Sequence, residues 1–73
     1  KAKNDSLLDL AIQSFDKALN LNRNYVPAKY NRALCYETKG NYTLAKSEYK
    51  AILQLETNYE PAISALNRLD KRN

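Results

Sequence analysis

Two stretches of the chain carry the same apolar stripe. Ala11, Phe15, Ala18 and Leu19 stand at i, i+4, i+7 and i+8, and Ala45, Tyr49, Ile52 and Leu53 repeat the arrangement further on. That spacing is one face of an amphipathic helix, with polar residues around the rest. The punctuation between stripes agrees. Gly40, the only glycine, is followed by Asn41, a pair that suits a left-handed C-cap and the N-cap of the next helix. Asn24 and Asn58 are expected to act as N-caps, with Pro27 and Pro61 inside the first turn, where a missing N–H costs little. The pattern predicts four helices, over 5–22, 25–39, 42–56 and 59–71. The short connections between them make neighbouring helices antiparallel.

Sliding the chain by 34 positions aligns Leu10 with Leu44, Ala11 with Ala45, Leu19 with Leu53 and Leu21 with Leu55. It also aligns Asn24 with Asn58, Tyr25 with Tyr59, Pro27 with Pro61 and Ala28 with Ala62, while Phe15 meets Tyr49. The eight identities crowd into residues 10–28 of the first copy. A fixed period of this size marks stacked repeats, each a supersecondary unit that buries its apolar face against its neighbours.

The unit containing Tyr30-Asn31-Arg32-Ala33-Leu34-Cys35-Tyr36, then Gly40-Asn41-Tyr42, Ala45, Tyr49 and Leu53-Gln54-Leu55 resembles the tetratricopeptide repeat. The resemblance covers nearly the whole chain. It implies an all-α fold of antiparallel helix-turn-helix repeats stacked as a short right-handed solenoid. Lys29, Arg32 and Thr57 depart from the family, which usually has a large aromatic, often Leu and often Pro at those positions. Small residues such as Ala33 and Ala45 let helices approach, and Tyr36, Tyr42 and Tyr49 are expected to fill the space between hairpins. Cys35 stands at a usually small position and is expected to be a packed, inert thiol.

The register divides residues 1–73, read as one domain. Helix 5–22 is the second helix of a partial repeat, 25–56 a complete repeat and 59–71 a C-terminal capping helix. Lys1 to Asp5 are the only residues that fit the end of an upstream first helix, and the chain does not open on Met, so a segment of a longer repeat protein is expected. Self-association of two chains through the uncovered N-terminal helix is the alternative. In the last helix Ile63, Leu66 and Leu69 form an inner stripe, while Asn67, Arg68, Asp70, Lys71 and Arg72 are polar.

Composition narrows the function. Seventy-three residues with no His and one Cys leave out the commonest general base, an intramolecular disulfide and a thiolate zinc site. The eight acidic residues are scattered around helix exteriors, and four helices offer no secluded pocket, so neither catalysis nor a cofactor is expected. The formal charge of +4 divides as +1 over residues 1–24, +2 over 25–57 and +1 over 58–73. That spread argues against nucleic acid, which selects for clustered charge. No apolar run approaches the roughly 20 residues of a membrane span. The unpaired Cys fits a reducing, cytoplasmic compartment.

What remains is a protein or peptide partner. By resemblance, the concave wall of the complete repeat is formed by Pro27, Tyr30, Asn31, Leu34, Glu37 and Thr38. Asn31 is the sharpest candidate, since its amide both donates to and accepts from an extended backbone. Arg68, with Lys71, would add a preference for acidic partners. Family members that clamp a chaperone's terminal carboxylate carry two basic residues on the following helix, where this chain has Pro61 and Ala65. That mode is therefore not expected.

Overall fold

The computed structural model describes residues 5–72. Four helices account for most of them: α1 (Asp5–Leu21), α2 (Val26–Thr38), α3 (Tyr42–Leu55) and α4 (Glu60–Arg72). Every boundary falls next to or on its predicted position. Each helix packs antiparallel on its neighbours in sequence, α1 on α2, α2 on α3 and α3 on α4, in a slab of 34 × 34 × 15 Å. The chain is thus an all-α stack of helical hairpins, with no strand among the described residues. Asp5 opens α1, and the expectation that the preceding residues end an upstream helix lies outside the described residues.

The α2–α3 turn is closed as expected. Gly40 has φ +87°, its N–H donates to Glu37 C=O at 2.9 Å, and the Asn41 N–H donates to Tyr36 C=O at 2.9 Å. This reciprocal pair is a Schellman motif, whose left-handed residue favours glycine. Asn41 then caps α3 through its backbone, its C=O accepting from Ala45 at 3.0 Å, with no side-chain cap bond.

The other two caps differ from expectation. Tyr25, not Asn24, is the N-cap of α2, without a side-chain bond. The reason lies just upstream, where Asn22 Oδ1 accepts from the Asn24 N–H at 3.3 Å and the Asn22 C=O accepts from Tyr25 at 3.1 Å. That turn uses Asn22 to aim the chain, so the helix opens one residue later. The second copy behaves alike. The Glu56 C=O accepts from Tyr59, whose own C=O takes Ala62 and Ile63, and α4 begins at Glu60 rather than being capped by Asn58.

The core joins α2, α3 and α4. Val26 and Ala33, Ala45, Tyr49 and Ile52, and Ala62, Ala65 and Leu69 form one buried cluster. Ala33, Ala45, Ala62 and Ala65 are completely buried, small enough to let the helices close on one another and on Tyr49. Tyr36 and Tyr42 pack at its edge as expected. α4 turns Ala62, Ala65 and Leu69 inward, while Ile63 and Leu66 stay half-buried. The inner stripe is therefore rotated toward the alanines, which permit the closer approach. α1 contributes nothing to this cluster.

Candidate functional site

α2 presents two polar-edged faces. Pro27, Asn31, Leu34 and Thr38 stand at i, i+4, i+7 and i+11 and form an outer stripe, exposed except for half-buried Leu34. Val26, Tyr30, Ala33 and Glu37 run at the same spacing along the inner side. The predicted wall residues are thus divided. Asn31, Leu34 and Thr38 share the outer stripe, while Tyr30 and Glu37 lean into the packing. The Thr38 hydroxyl is already turned to its own helix, donating to Leu34 C=O at 2.8 Å. The Asn31 amide is exposed and makes no hydrogen bond among the described residues.

Tyr30 is a pillar between elements. Its ring centroid lies 5.8 Å from that of Tyr49 on α3 and 5.9 Å from that of Tyr59 before α4, the second contact edge-on at 68°. Such tilted and edge contacts suit the aromatic quadrupole. Only the outer edge of Tyr30 is left for a partner.

Glu37 and Arg68 are brought together with each other. Arg68 Nη2 donates to Glu37 Oε1 at 2.7 Å and its Nε to Oε2 at 2.9 Å, a two-pronged pairing of planar groups. The buried Tyr49 hydroxyl donates to Glu37 Oε1 at 2.9 Å. One carboxylate on α2 therefore ties down α3 and α4. Arg68 and the Tyr49 hydroxyl hold the Glu37 pKa below the ordinary carboxylate value, against the opposing effect of burial. Burial, and then the hydrogen bond to Glu37, push Tyr49 upward, so its hydroxyl stays protonated and donating.

A second node escaped the sequence reading. Arg32, noted only as a departure from an apolar family position, donates to Glu48 on α3 from Nη2 at 2.8 Å and 3.0 Å. Its Nη1 donates to Asp16 on α1 at 2.8 Å. Burial opposes its charge, but the two carboxylates outweigh burial and its pKa stands above the ordinary value. A signal was present, because Asp16 and Glu48 stand symmetrically before and after the arginine in sequence, one on each flanking helix. Lys39 pairs with Asp9, and Arg72 stacks 4.5 Å above the Tyr42 ring while donating to its hydroxyl. Burial pushes the Cys35 thiol upward, away from a reactive thiolate.

No helix among the described residues is long and apolar enough to cross a membrane. No curated protein and no solved structure matches the chain. A family model, Tetratricopeptide repeat, matches residues 26–59, the segment that contains α2, the Gly40 turn, α3 and the turn into α4. Hairpins of this kind serve in general as protein-interaction modules. Residues 26–59 are thus a tetratricopeptide repeat unit.

Proposed function

We propose that the chain binds an extended protein segment along the outer stripe of α2. The observation that carries this reading is the exposed, uncommitted amide of Asn31, flanked by the half-buried apolar surfaces of Tyr30 and Leu34. An amide in that setting pairs with a peptide N–H and C=O together, and the flanking side chains exclude water from the contact. Thr38 extends the stripe toward the Gly40 turn. Glu37 and Arg68 border the stripe as a neutralised pair, so a preference for acidic partners would rest on Lys71 more than on Arg68. The single Cys35, half-buried and protonated, suits a reducing, cytoplasmic setting.

The Glu37–Arg68 pairing favours a second, structural reading, in which α4 closes the stack and α1 is the second helix of a preceding unit. One experiment separates the two. Peptides selected on the chain from a random display library are titrated against the chain and against Asn31→Ala. A loss of about fivefold or more, the value of one hydrogen bond, with unchanged helicity supports binding at this stripe. Equal affinity for both proteins sinks it in favour of the structural role. Tyr30 is left intact, because its removal would also strip a contact from Tyr49.

A further inference from the structure

α1 has a second apolar stripe on the side away from α2. Leu7, Leu10 and Leu21 are 66%, 57% and 91% exposed. With exposed Ser14 and half-buried Ala18 they step along one face at intervals of three, four, four and three positions. One repeat later, the matching positions of α3 include buried Ile52 and half-buried Glu48, the latter held by Arg32 of α2. This is the stripe that neighbouring helices partly cover in the 26–59 unit and that the described residues leave largely open in α1.

We propose that a second copy of the chain covers it, α1 lying antiparallel on α1 about a two-fold axis at Ser14. A two-fold interface needs a patch complementary to itself, and the interval series reads the same from either end. About that axis Leu7 meets Leu21 of the second copy, Leu10 meets its Ala18, and Ser14 meets its own counterpart. Leucine is set against leucine or alanine along about 21 Å of helix, and the small central residue lets the axes approach to about 8 Å.

The polar groups also fit. The Ser14 hydroxyl donates to Leu10 C=O of its own helix at 3.2 Å, so it enters the contact already satisfied. Lys17 borders the stripe, and the axis sets it opposite Ala11 of the second copy. The two lysines then stand about 9 Å apart along the helices, at a separation where salt screens them. Asp9 and Asp16 lie on the other side of α1, tied to Lys39 and Arg32 of α2. A single helix pair covers less area than a standard stable protein interface buries. The dimer is therefore weak and concentration-dependent. The surface is separate from the α2 stripe, so the two proposals fail independently.

Sedimentation equilibrium on the full chain between about 5 and 500 µM tests the association. A monomer–dimer equilibrium is expected, with Leu10→Glu weakening it at least tenfold while the circular dichroism spectrum stays unchanged. The axis is tested in a Cys35→Ser background. Under mild oxidation Ser14→Cys should link to itself, and Leu7→Cys, far from its own counterpart, should not. The proposal is overturned by a chain that stays monomeric throughout the range, by a dimer indifferent to Leu10→Glu, or by Leu7→Cys linking as readily as Ser14→Cys. A monomer would assign the stripe to a different helical segment.

Discussion

α1 and α3 are copies of one helix in the repeat register, yet they are held very differently. In α3, Ala45, Tyr49 and Ile52 are completely buried, because α2 covers one side and α4 the other. Their counterparts Ala11, Phe15 and Ala18 are only half-buried, since α2 packs on one side of α1; Leu19 is buried there, but no α1 residue joins the core cluster. Nearly the same apolar pattern is therefore covered from two sides in one place and from one side in the other. Burial in a repeat is a property of the neighbours, and the stripe only permits it.

The comparison is broken most directly at its aromatic pair. Tyr49→Ala removes a completely buried ring and orphans packing on three helices, which should cost about 3–5 kcal/mol. In a domain this small that is enough to unfold it. Phe15→Ala, at a half-buried position, should cost less than half as much and leave α2–α4 folded. Urea titrations followed by circular dichroism measure both. Equal losses would mean that α1 and α3 contribute alike, contrary to their burial.

Arg32 offers a sharper cut, since one guanidinium bonds both copies. Its α3 partner Glu48 has a side chain 17% exposed and its α1 partner Asp16 one 49% exposed. Double-mutant cycles should give a coupling of about 1–2 kcal/mol for Arg32–Glu48 and below about 0.5 kcal/mol for Arg32–Asp16, as the more exposed pair is screened by water. A larger coupling on the Asp16 side would reverse the ranking.

The α3–α4 side should also be the part that responds to acid. Glu37 is held below its ordinary value near 4.5 by Arg68, so its folded-state pKa lies under its unfolded one. Its contribution is then complete above that value and disappears as pH falls through the depressed one. Comparing thermal unfolding of the chain with Glu37→Gln should show a gap of about 1 kcal/mol near neutrality that closes between about pH 5 and pH 2. A constant gap across that range would mean that the carboxylate charge is not what ties α4 down.

Much of this was legible in the letters and some was not. The four helices followed from apolar spacing, and the Gly40 turn from the one residue able to adopt its φ cheaply. The Asn24 and Asn58 caps were misplaced because cap preference is a local signal, and at the first of them Asn22 competes for the same turn with its own side chain. Asn31, Leu34 and Thr38 were named as wall residues by resemblance, together with Tyr30 and Glu37, and resemblance alone did not separate the outer stripe from the inner one. That Glu37 faces inward to Tyr49 and Arg68 was not readable, since a bond between groups so distant in sequence depends on how α4 settles against α2. The rotated face of α4 has the same origin, because side-chain size fixes how closely two helices meet.

The smallest effect separates the copies at their ends. Leu21 and Leu55 occupy the same register position, but Leu21 is 91% exposed and Leu55 42%. Below the concentration at which chains associate, Leu21→Gln should change the unfolding free energy by less than about 0.3 kcal/mol, since almost no apolar area returns to water. Leu55→Gln should cost about 1 kcal/mol, since over half of that side chain is covered by the fold. Repeating both titrations at high concentration adds a second reading. If α1 meets a second copy, the cost of Leu21→Gln rises with protein concentration while that of Leu55→Gln does not, because mass action stabilises only the state in which the Leu21 stripe is covered.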